Sequence, residues 1–489
     1  MSEGKNLCYK VLQETGYEGY LLKEAPERVL QFGEGNFLRA FTDVFIDRMN
    51  ETAGFQGKVV VCQPKGNDRG KAFRGQDCLY TLLVRGCRDG KTLSQRRVIS
   101  CLSRCLDPRK EFDEVLACAK NPDLRFIVSN TTEAGIVYDP SCRFEDEVPA
   151  SFPAKLTRFL YARYQTGLPG FVILPCELID NNGAVLKEYV LRHAKDWQLE
   201  EGFSCWVEDQ NRFCSTLVDR IVPGYPKKEE ESLWKEWGYR DELMDVCEPF
   251  ASWVIEGDES LKKELPFEKS GLPISVVSDV APYKKRKVRI LNGVHTSMAP
   301  AAFLCGKELV RECMEDPVIR EYTDRILEKE ILPVLTDLDP EETGAFAKAL
   351  WDRFSNPYLD HELLSICLNT WAKWKARVLP TVADHWNNEG KLSPLLVFSF
   401  AAFLSLYHCG GKREDGKEFS LRDDEKVLNL FEEQKDADDE SLIEAILAAD
   451  DNPAGELSGN EEFRRQVICD LRMIRELGMY EAVKRIVAI

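Results

Sequence analysis

The chain has 489 residues, 44% hydrophobic and 30% charged, enough for two or three domains with sizeable cores. Its 83 Asp and Glu outweigh 65 Lys and Arg, and the net charge of -18 argues against nucleic acid or an anionic membrane as the main partner. Any anionic ligand must be met by a local cluster of cations.

Seventeen cysteines form no CxxC pair, and no histidine stands near the closest pairs, Cys101 with Cys105 and Cys78 with Cys87. Reduced thiols, a cytoplasmic location and no bound metal are the expectation, because the opening MSEGKNLCYK carries no apolar signal segment. The five histidines make no HExxH arrangement, and no apolar run approaches the roughly 18 residues of a membrane span. The partner expected is a small molecule, with the oligomeric state open between a monomer and a small homo-oligomer.

In chain order, the first half alternates short β-branched runs with amphipathic stretches, the signature of a doubly wound α/β sheet. Residues 29–32, 58–62, 126–129 and 171–174 read as strands, with helices over 37–50, 108–120 and 154–164. Asp89-Gly90 between two strand-like runs predicts a hairpin over 79–102. After about residue 275 nearly every long segment has helical period, as in 316–335, 340–354, 361–378 and 461–488. The expected division is a Rossmann-like dinucleotide-binding domain over 1–280 and a mainly helical substrate-binding and catalytic domain over 281–489.

The first strand runs into Gly33-Glu34-Gly35-Asn36-Phe37-Leu38-Arg39-Ala40, a tight glycine turn and a helix start. Such a turn lets backbone approach a pyrophosphate, the helix start offers free N–H groups, and Arg39 adds charge. Leu38 stands where the third glycine of GxGxxG belongs, and the alternative is an ordinary strand-to-helix turn. The second strand is followed by Gln63-Pro64-Lys65 rather than a ribose-binding acid, and Lys65 and Arg69 suit a 2′-phosphate, so NAD against NADP stays open. Gly66 to Ala72 is one residue short of a Walker turn and lacks its Ser or Thr.

Further on, Lys287, Asn292 and His295 are spaced five and three apart in an apolar helical run. At about 100° per residue they fall within about 140° of one another, on the side of Leu291 and Val294. Burying an ammonium and an imidazole is costly unless they are paired, so an inward Lys/Asn/His row calls for a chemical reason. A snorkelling lysine beside a core histidine is the plainer alternative. On 361–378, Lys373 and Arg377 are four apart and adjoin on one face, a candidate partner for a carboxylate, against the alternative of an exposed amphipathic face.

Taken together, the glycine turn, Gln76-Asp77-Cys78-Leu79-Tyr80-Thr81, Thr132-Glu133-Ala134-Gly135, Val218-Asp219-Arg220-Ile221, the Lys287/Asn292/His295 row and Arg353-Phe354-Ser355-Asn356-Pro357 resemble the polyol-specific long-chain dehydrogenase family, of which mannitol dehydrogenase is the namesake. Within it, Leu174-Pro175-Cys176-Glu177-Leu178-Ile179-Asp180, the stretch from Cys214 to Val222 and Pro282-Tyr283-Lys284 are similar to members that reduce keto-uronates in hexuronate breakdown. The resemblance implies an NAD-linked (NADH), zinc-independent reduction of a sugar acid. It puts the acid/base on Lys287, supported by Asn292 and His295, and the cofactor against Phe32, Gly33, Gly35, Asn36, Phe37, Arg39, Thr132, Glu133 and Asp219. Lys373 falls on the family's second-domain lysine, with Arg377, Glu177 and Asn182 as further substrate contacts. The family's asparagine after Glu177 is here Leu178, so half of an expected oxyanion pair is missing, and Asn182 is the candidate replacement or a helix cap. A sugar-acid-binding regulator on the same scaffold and an isomerase are the readings from other classes.

Overall fold

The computed structural model describes residues 5–63, 69–131 and 135–488. The strands, in chain order, are β1 (Glu27–Phe32), β2 (Lys58–Cys62), β3 (Tyr80–Arg88), β4 (Lys91–Ile99), β5 (Leu102–Leu106) and β6 (Phe126–Ser129). They continue as β7 (Val172–Pro175), β8 (Arg212–Phe213), β9 (Thr216–Asp219), β10 (Asp245–Cys247), β11 (Ser252–Glu256) and β12 (Ile274–Val277).

A six-stranded parallel sheet in the order β5-β2-β1-β6-β7-β8 forms the centre of the first unit. Its strands read as continuous apolar runs because helices cover both faces. Val59, Val61, Val29, Phe126 and Val128 point into one core, while Val60, Cys62, Leu30 and Ile127 point into the other. That is the period of two expected of a strand. The chain leaves β1 for β2 on one side and returns to β6 on the other, so the topological switch point lies between the carboxyl ends of β1 and β6. Two three-stranded sheets, β10-β3-β4 and β12-β11-β9, flank this frame.

The chain divides into two compact units, 1–85 with 93–280, and 281–489 with 86–92. The β3–β4 turn takes the left-handed conformation at both Asp89 (φ 51°) and Gly90 (φ 71°), as an Asp-Gly hairpin requires. Its tip is the part of the hairpin that groups with the second unit.

That second unit is helical around one core. Pro394–His408 is apolar on nearly every side, and twelve of its fifteen residues are buried, as befits a central helix. Four expected helices are each interrupted, among them 461–488, which is Glu461–Leu477 and Met479–Val487 split at Gly478 (φ 79°). The stretch 37–50 is Asn36–Arg39 and Thr42–Ala53, because Phe41 leaves helical geometry (φ -129°, ψ -84°). The stretch 316–335 is Pro317–Arg325, a π-helical turn at Ile326–Ile331 and a short 3-10 turn. The stretch 361–378 is Leu363–Ile366 and Thr370–Arg377, split by Asn369 in the left-handed conformation (φ 53°).

Candidate active site

At the switch point, Gly33 has φ 130°, and a Cβ there would lie 2.8 Å from the Asn130 carbonyl and 2.9 Å from Cδ1 of Leu38. Glycine is required, and Leu38, at the place of the motif's third glycine, packs its side chain against it. A Cβ on Gly35 meets no atom within 4 Å, and the helix start at Asn36 has no side-chain cap, so the turn keeps an open face beside an uncapped helix start.

The rest of this turn departs from expectation. Arg39 is turned inward and only 2% exposed. Its guanidinium donates to the Leu243 carbonyl and to Asn36 Oδ1 (2.7 Å), lies 3.6 Å from Asp245 and covers the Tyr80 ring. It balances buried carboxylates instead of facing a phosphate. Asp43 and Asp245 are both pushed up by burial to about 7. Phe32 is likewise packed into the core, its ring 5.0 Å from that of Phe152, and Phe37 stacks on Phe41 at 4.9 Å. Asp219 ends β9 and is buried. Thr132, Glu133 and Lys65 lie outside the described residues.

The substrate roles expected of Glu177 and Asn182 do not match where their atoms point. Glu177 is buried, and its carboxylate accepts from Ser129 Oγ (3.0 Å), Thr131 N (3.0 Å) and Thr131 Oγ1 (2.9 Å). It pins the loop after β6 to the end of β7. Asn182 donates to the carbonyls of Pro175 (3.0 Å), Glu177 (3.0 Å) and Thr216 (3.1 Å), and accepts from Gly183 N (2.9 Å) and Thr216 N (2.8 Å). Its amide is fully committed to backbone, and the helix cap is Asn181. Leu178 is exposed. Ser129 and Thr131, which sequence reading passed over, hold this end of the sheet.

In the second unit, Ala281–Lys287 passes into a π-helical turn at Val288–Asn292 and then into the α-helix Gly293–Leu304. A π-turn closes with i→i+5 bonds, so Asn292, five residues after Lys287, sits one turn above it. His295, three residues further in an α-helix, continues the same row. The two polar groups that a uniform α-helical projection spreads apart are thereby brought into line. Lys287 and Asn292 are half-buried and His295 is buried.

His295 stacks flat on Phe354 (ring centroids 4.2 Å, 18°) and meets His361 edge-on (5.0 Å, 76°). Its buried Nε2 has no hydrogen-bond partner among the described residues. Burial, followed by His361, Arg353, Arg377 and Lys373, holds its pKa well below the ordinary value. Burial and Arg353 also lower His361.

On Thr370–Arg377, Trp371 and Trp374 face the core, with Trp374 Nε1 donating to Ser399 at 3.1 Å, while Lys375 pairs with Asp451. Lys373 and Arg377 share a half-buried face between them. Lys373 Nζ donates to the Ile366 carbonyl (3.0 Å) and Arg377 to Thr296 Oγ1 (3.4 Å). Burial lowers both pKa values, with Arg377 further lowering Lys373. This helix lies against Gly293, where a Cβ would meet the Arg377 carbonyl at 3.4 Å, an ordinary contact. Arg289 is engaged elsewhere, by Asp384 (2.8 Å) and Thr381 (2.6 Å). His361 and Arg353 join this cluster from outside the row that sequence spacing picks out. Each lies in a stretch that stands out in the sequence for other reasons, and neither carries a signal of its own.

Among the described residues no group of three or more His, Cys, Asp and Glu side chains is placed to hold a metal ion, and no helix is long and apolar enough to cross a membrane. All seventeen cysteines are free thiols.

A parallel-sheet unit with a glycine turn at its switch point, followed by a helical unit with a lysine, asparagine and histidine in one row, has the build of a nucleotide-dependent dehydrogenase. The chain belongs to the mannitol dehydrogenase family: the family's Rossmann domain matches residues 27–269 and its C-terminal domain residues 279–475. Among its relatives are altronate oxidoreductases of Bacillus subtilis (strain 168), 42% identical over 97% of this chain and 98% of that protein, and of Klebsiella pneumoniae (strain 342), 42% identical over 97% and 99%. Similar solved structures are Pseudomonas fluorescens mannitol 2-dehydrogenase in ternary complex with NAD and D-mannitol (TM-score 0.74, 23% identity, 99% of each chain) and a D-sorbitol dehydrogenase in substrate-free form (TM-score 0.84, 23% identity, 98% of this chain and all of that one). The last two bear on the fold.

Proposed function

We propose that the protein is a cytoplasmic, NAD-linked oxidoreductase that reduces the keto-uronate tagaturonate to altronate and runs the reverse oxidation. The observation that carries this reading is the group of half-buried and buried cations, Lys373, Arg377 and Arg353, gathered around a low-pKa His295. Lys373 and Arg353 lie on positions that resemble those of the polyol dehydrogenases, so it is Arg377 beside Lys373 that favours a sugar acid over a neutral polyol. The relatives named altronate oxidoreductase support the same substrate class.

The open Gly33–Gly35 turn and the uncapped N–H groups at Asn36 suit the pyrophosphate of a dinucleotide, and Glu177, through Ser129 and Thr131, holds the neighbouring loop in shape. The nicotinamide supplies the hydride in reduction and takes it in oxidation. The chain's own part is proton transfer and charge stabilisation. Lys287 gives its proton to the alkoxide forming at the reduced carbon and takes it back in the oxidation direction, an effect worth roughly 10² to 10⁴ in rate. Asn292, one turn above, donates a hydrogen bond to the same oxygen, and neutral His295 orients that oxygen. Lys373 and Arg377 receive the carboxylate, which fixes the sugar chain end to end.

The reading is tested by following NADH oxidation with tagaturonate, fructuronate and fructose, with identification of each product. Preference for tagaturonate with altronate as product is the expected result. A preference for fructuronate moves the assignment to the epimeric reaction, and a lack of net NADH consumption with any of them removes the oxidoreductase reading.

A further inference from the structure

The tip of the β3–β4 hairpin, which groups with the second unit, is held there by one carboxylate. Asp352 accepts from Asp89 N at 2.7 Å and from Gly90 N at 2.9 Å, two successive N–H groups that the left-handed turn brings to one side. Three residues on, the Cys87 thiol donates to the Ser355 carbonyl at 3.6 Å. Both ties fall at the end of Pro340–Phe354, where a helix runs out of partners for its own carbonyls and frays. A carboxylate is also ill-placed there by charge, since the last turn carries the negative end of the helix dipole. What Asp352 costs the helix is offset by what it holds. Between the two ties lies Phe354, buried, whose ring stacks flat on His295 at 4.2 Å and 18°. His295 Nε2 has no hydrogen-bond partner among the described residues, so packing against Phe354 and the edge-on contact with His361 hold the plane of its imidazole.

Resting on the reading that His295 orients the reacting oxygen, we propose that Asp352 is a positioning residue for that reaction: tied to the Asp89-Gly90 turn, it fixes the last turn of its helix, that turn fixes Phe354, and Phe354 fixes the His295 ring. A turn 263 positions upstream thereby braces one end of the acid/base row. The other end of the same helix meets the row at Arg286, the neighbour of Lys287, which pairs with Glu342 at 2.7 Å and covers the Phe346 ring at 5.3 Å. Loosening the last turn therefore acts on His295 and leaves the tie beside Lys287 in place. Lys348 also reaches the turn, 3.8 Å from Asp89, but both side chains are exposed and the pair adds little.

The test joins the magnetic resonance spectrum of the histidine rings in the full chain to its kinetics. With five histidines in the sequence, selectively labelled histidine gives few ring signals, and the one lost in His295→Asn is that of His295. In Asp352→Ala that signal is expected to move downfield, out of the ring current of Phe354, while those of His193, His385 and His408 stay in place. With it kcat for tagaturonate is expected to fall about tenfold, with KM for NADH unmoved. Lys348→Ala, which removes only the exposed pair with Asp89, is expected to change neither. Should Asp352→Ala not fold, Asp352→Asn, which keeps one acceptor for the two N–H groups, is expected to move the signal and kcat in the same directions, less far. An unmoved His295 signal in a folded Asp352 variant, or an equal movement in Lys348→Ala, overturns the proposal and leaves the reading of His295 intact. A moved signal with unchanged kcat overturns that reading and the proposal with it.

Discussion

Two clusters of buried charge sit in this molecule, and they are built in opposite ways. Around Arg39, one guanidinium is enclosed with Asp43, Asp245, a backbone carbonyl and the Tyr80 ring, so the cluster is balanced from within and Arg39 is sealed at 2% exposure. Around His295, Arg353, Lys373 and Arg377 gather with no carboxylate among the described residues bonded to Lys373 or Arg377, and both keep part of their surface open. The first arrangement supports the fold; in the second, Lys373 and Arg377 bond only to neutral oxygens, the Ile366 carbonyl and Thr296 Oγ1. Charge balance, more than charge itself, separates a structural cluster from a binding one.

The contrast between the clusters gives predictions of decreasing size. Lys287→Ala, in the row beside the open cluster, should lower turnover by roughly 10² to 10⁴ while NADH affinity, measured by fluorescence titration, stays within a few-fold. A loss under tenfold would remove Lys287 from the proton-transfer role. Arg39→Met should lower stability by about 3 to 5 kcal/mol, because it leaves buried carboxylates without their counter-charge. Thermal unfolding checks this, and a variant with unchanged Tm but weakened NADH binding would return Arg39 to the phosphate site.

A smaller effect concerns pH. The Asp43 carboxyl is raised by burial from 3.8 to about 7, so its stabilising share is complete below 3.8 and is lost as pH rises through about 7. Asp43→Asn, which resembles the protonated form, should therefore gain Tm relative to the wild type as pH goes from about 5 to about 8. A constant difference across that range would mean that Asp43 does not titrate there. Smallest of all, strong chelators should leave activity unchanged, because the proposed mechanism gives Lys287 the part of a metal electrophile. Stoichiometric zinc whose removal abolishes turnover would contradict that.

Much of the frame is legible in the sequence. The parallel strands announce themselves as apolar runs buried on both faces, and Asp89-Gly90 as a turn needing two positive φ angles. What escapes sequence reading depends on departures from uniform period or on distant partners. A projection at 3.6 residues per turn has no place for the π-turn at Val288–Asn292, which is what lines Asn292 up with Lys287. The left-handed Asn369 gives no apolar signal, so two helices read as one. Arg39 reads as a phosphate ligand because Leu243 and Asp245, which draw it inward, are some two hundred positions away. Asn182 reads as a cap or substrate donor because its partners, the backbone of Pro175 and Thr216, lie outside its own helix on strands of two different sheets.

The open cation cluster, on this account, recognises the substrate's carboxylate. The most direct measurement is kcat/KM for tagaturonate and for fructose, in the wild type and in Lys373→Met. Removing one charged partner should reduce kcat/KM for the acid by about tenfold to a hundredfold, through KM for the acid and not for NADH, and should shrink the preference over the neutral ketose by a similar factor. An unchanged preference in Lys373→Met would contradict the account.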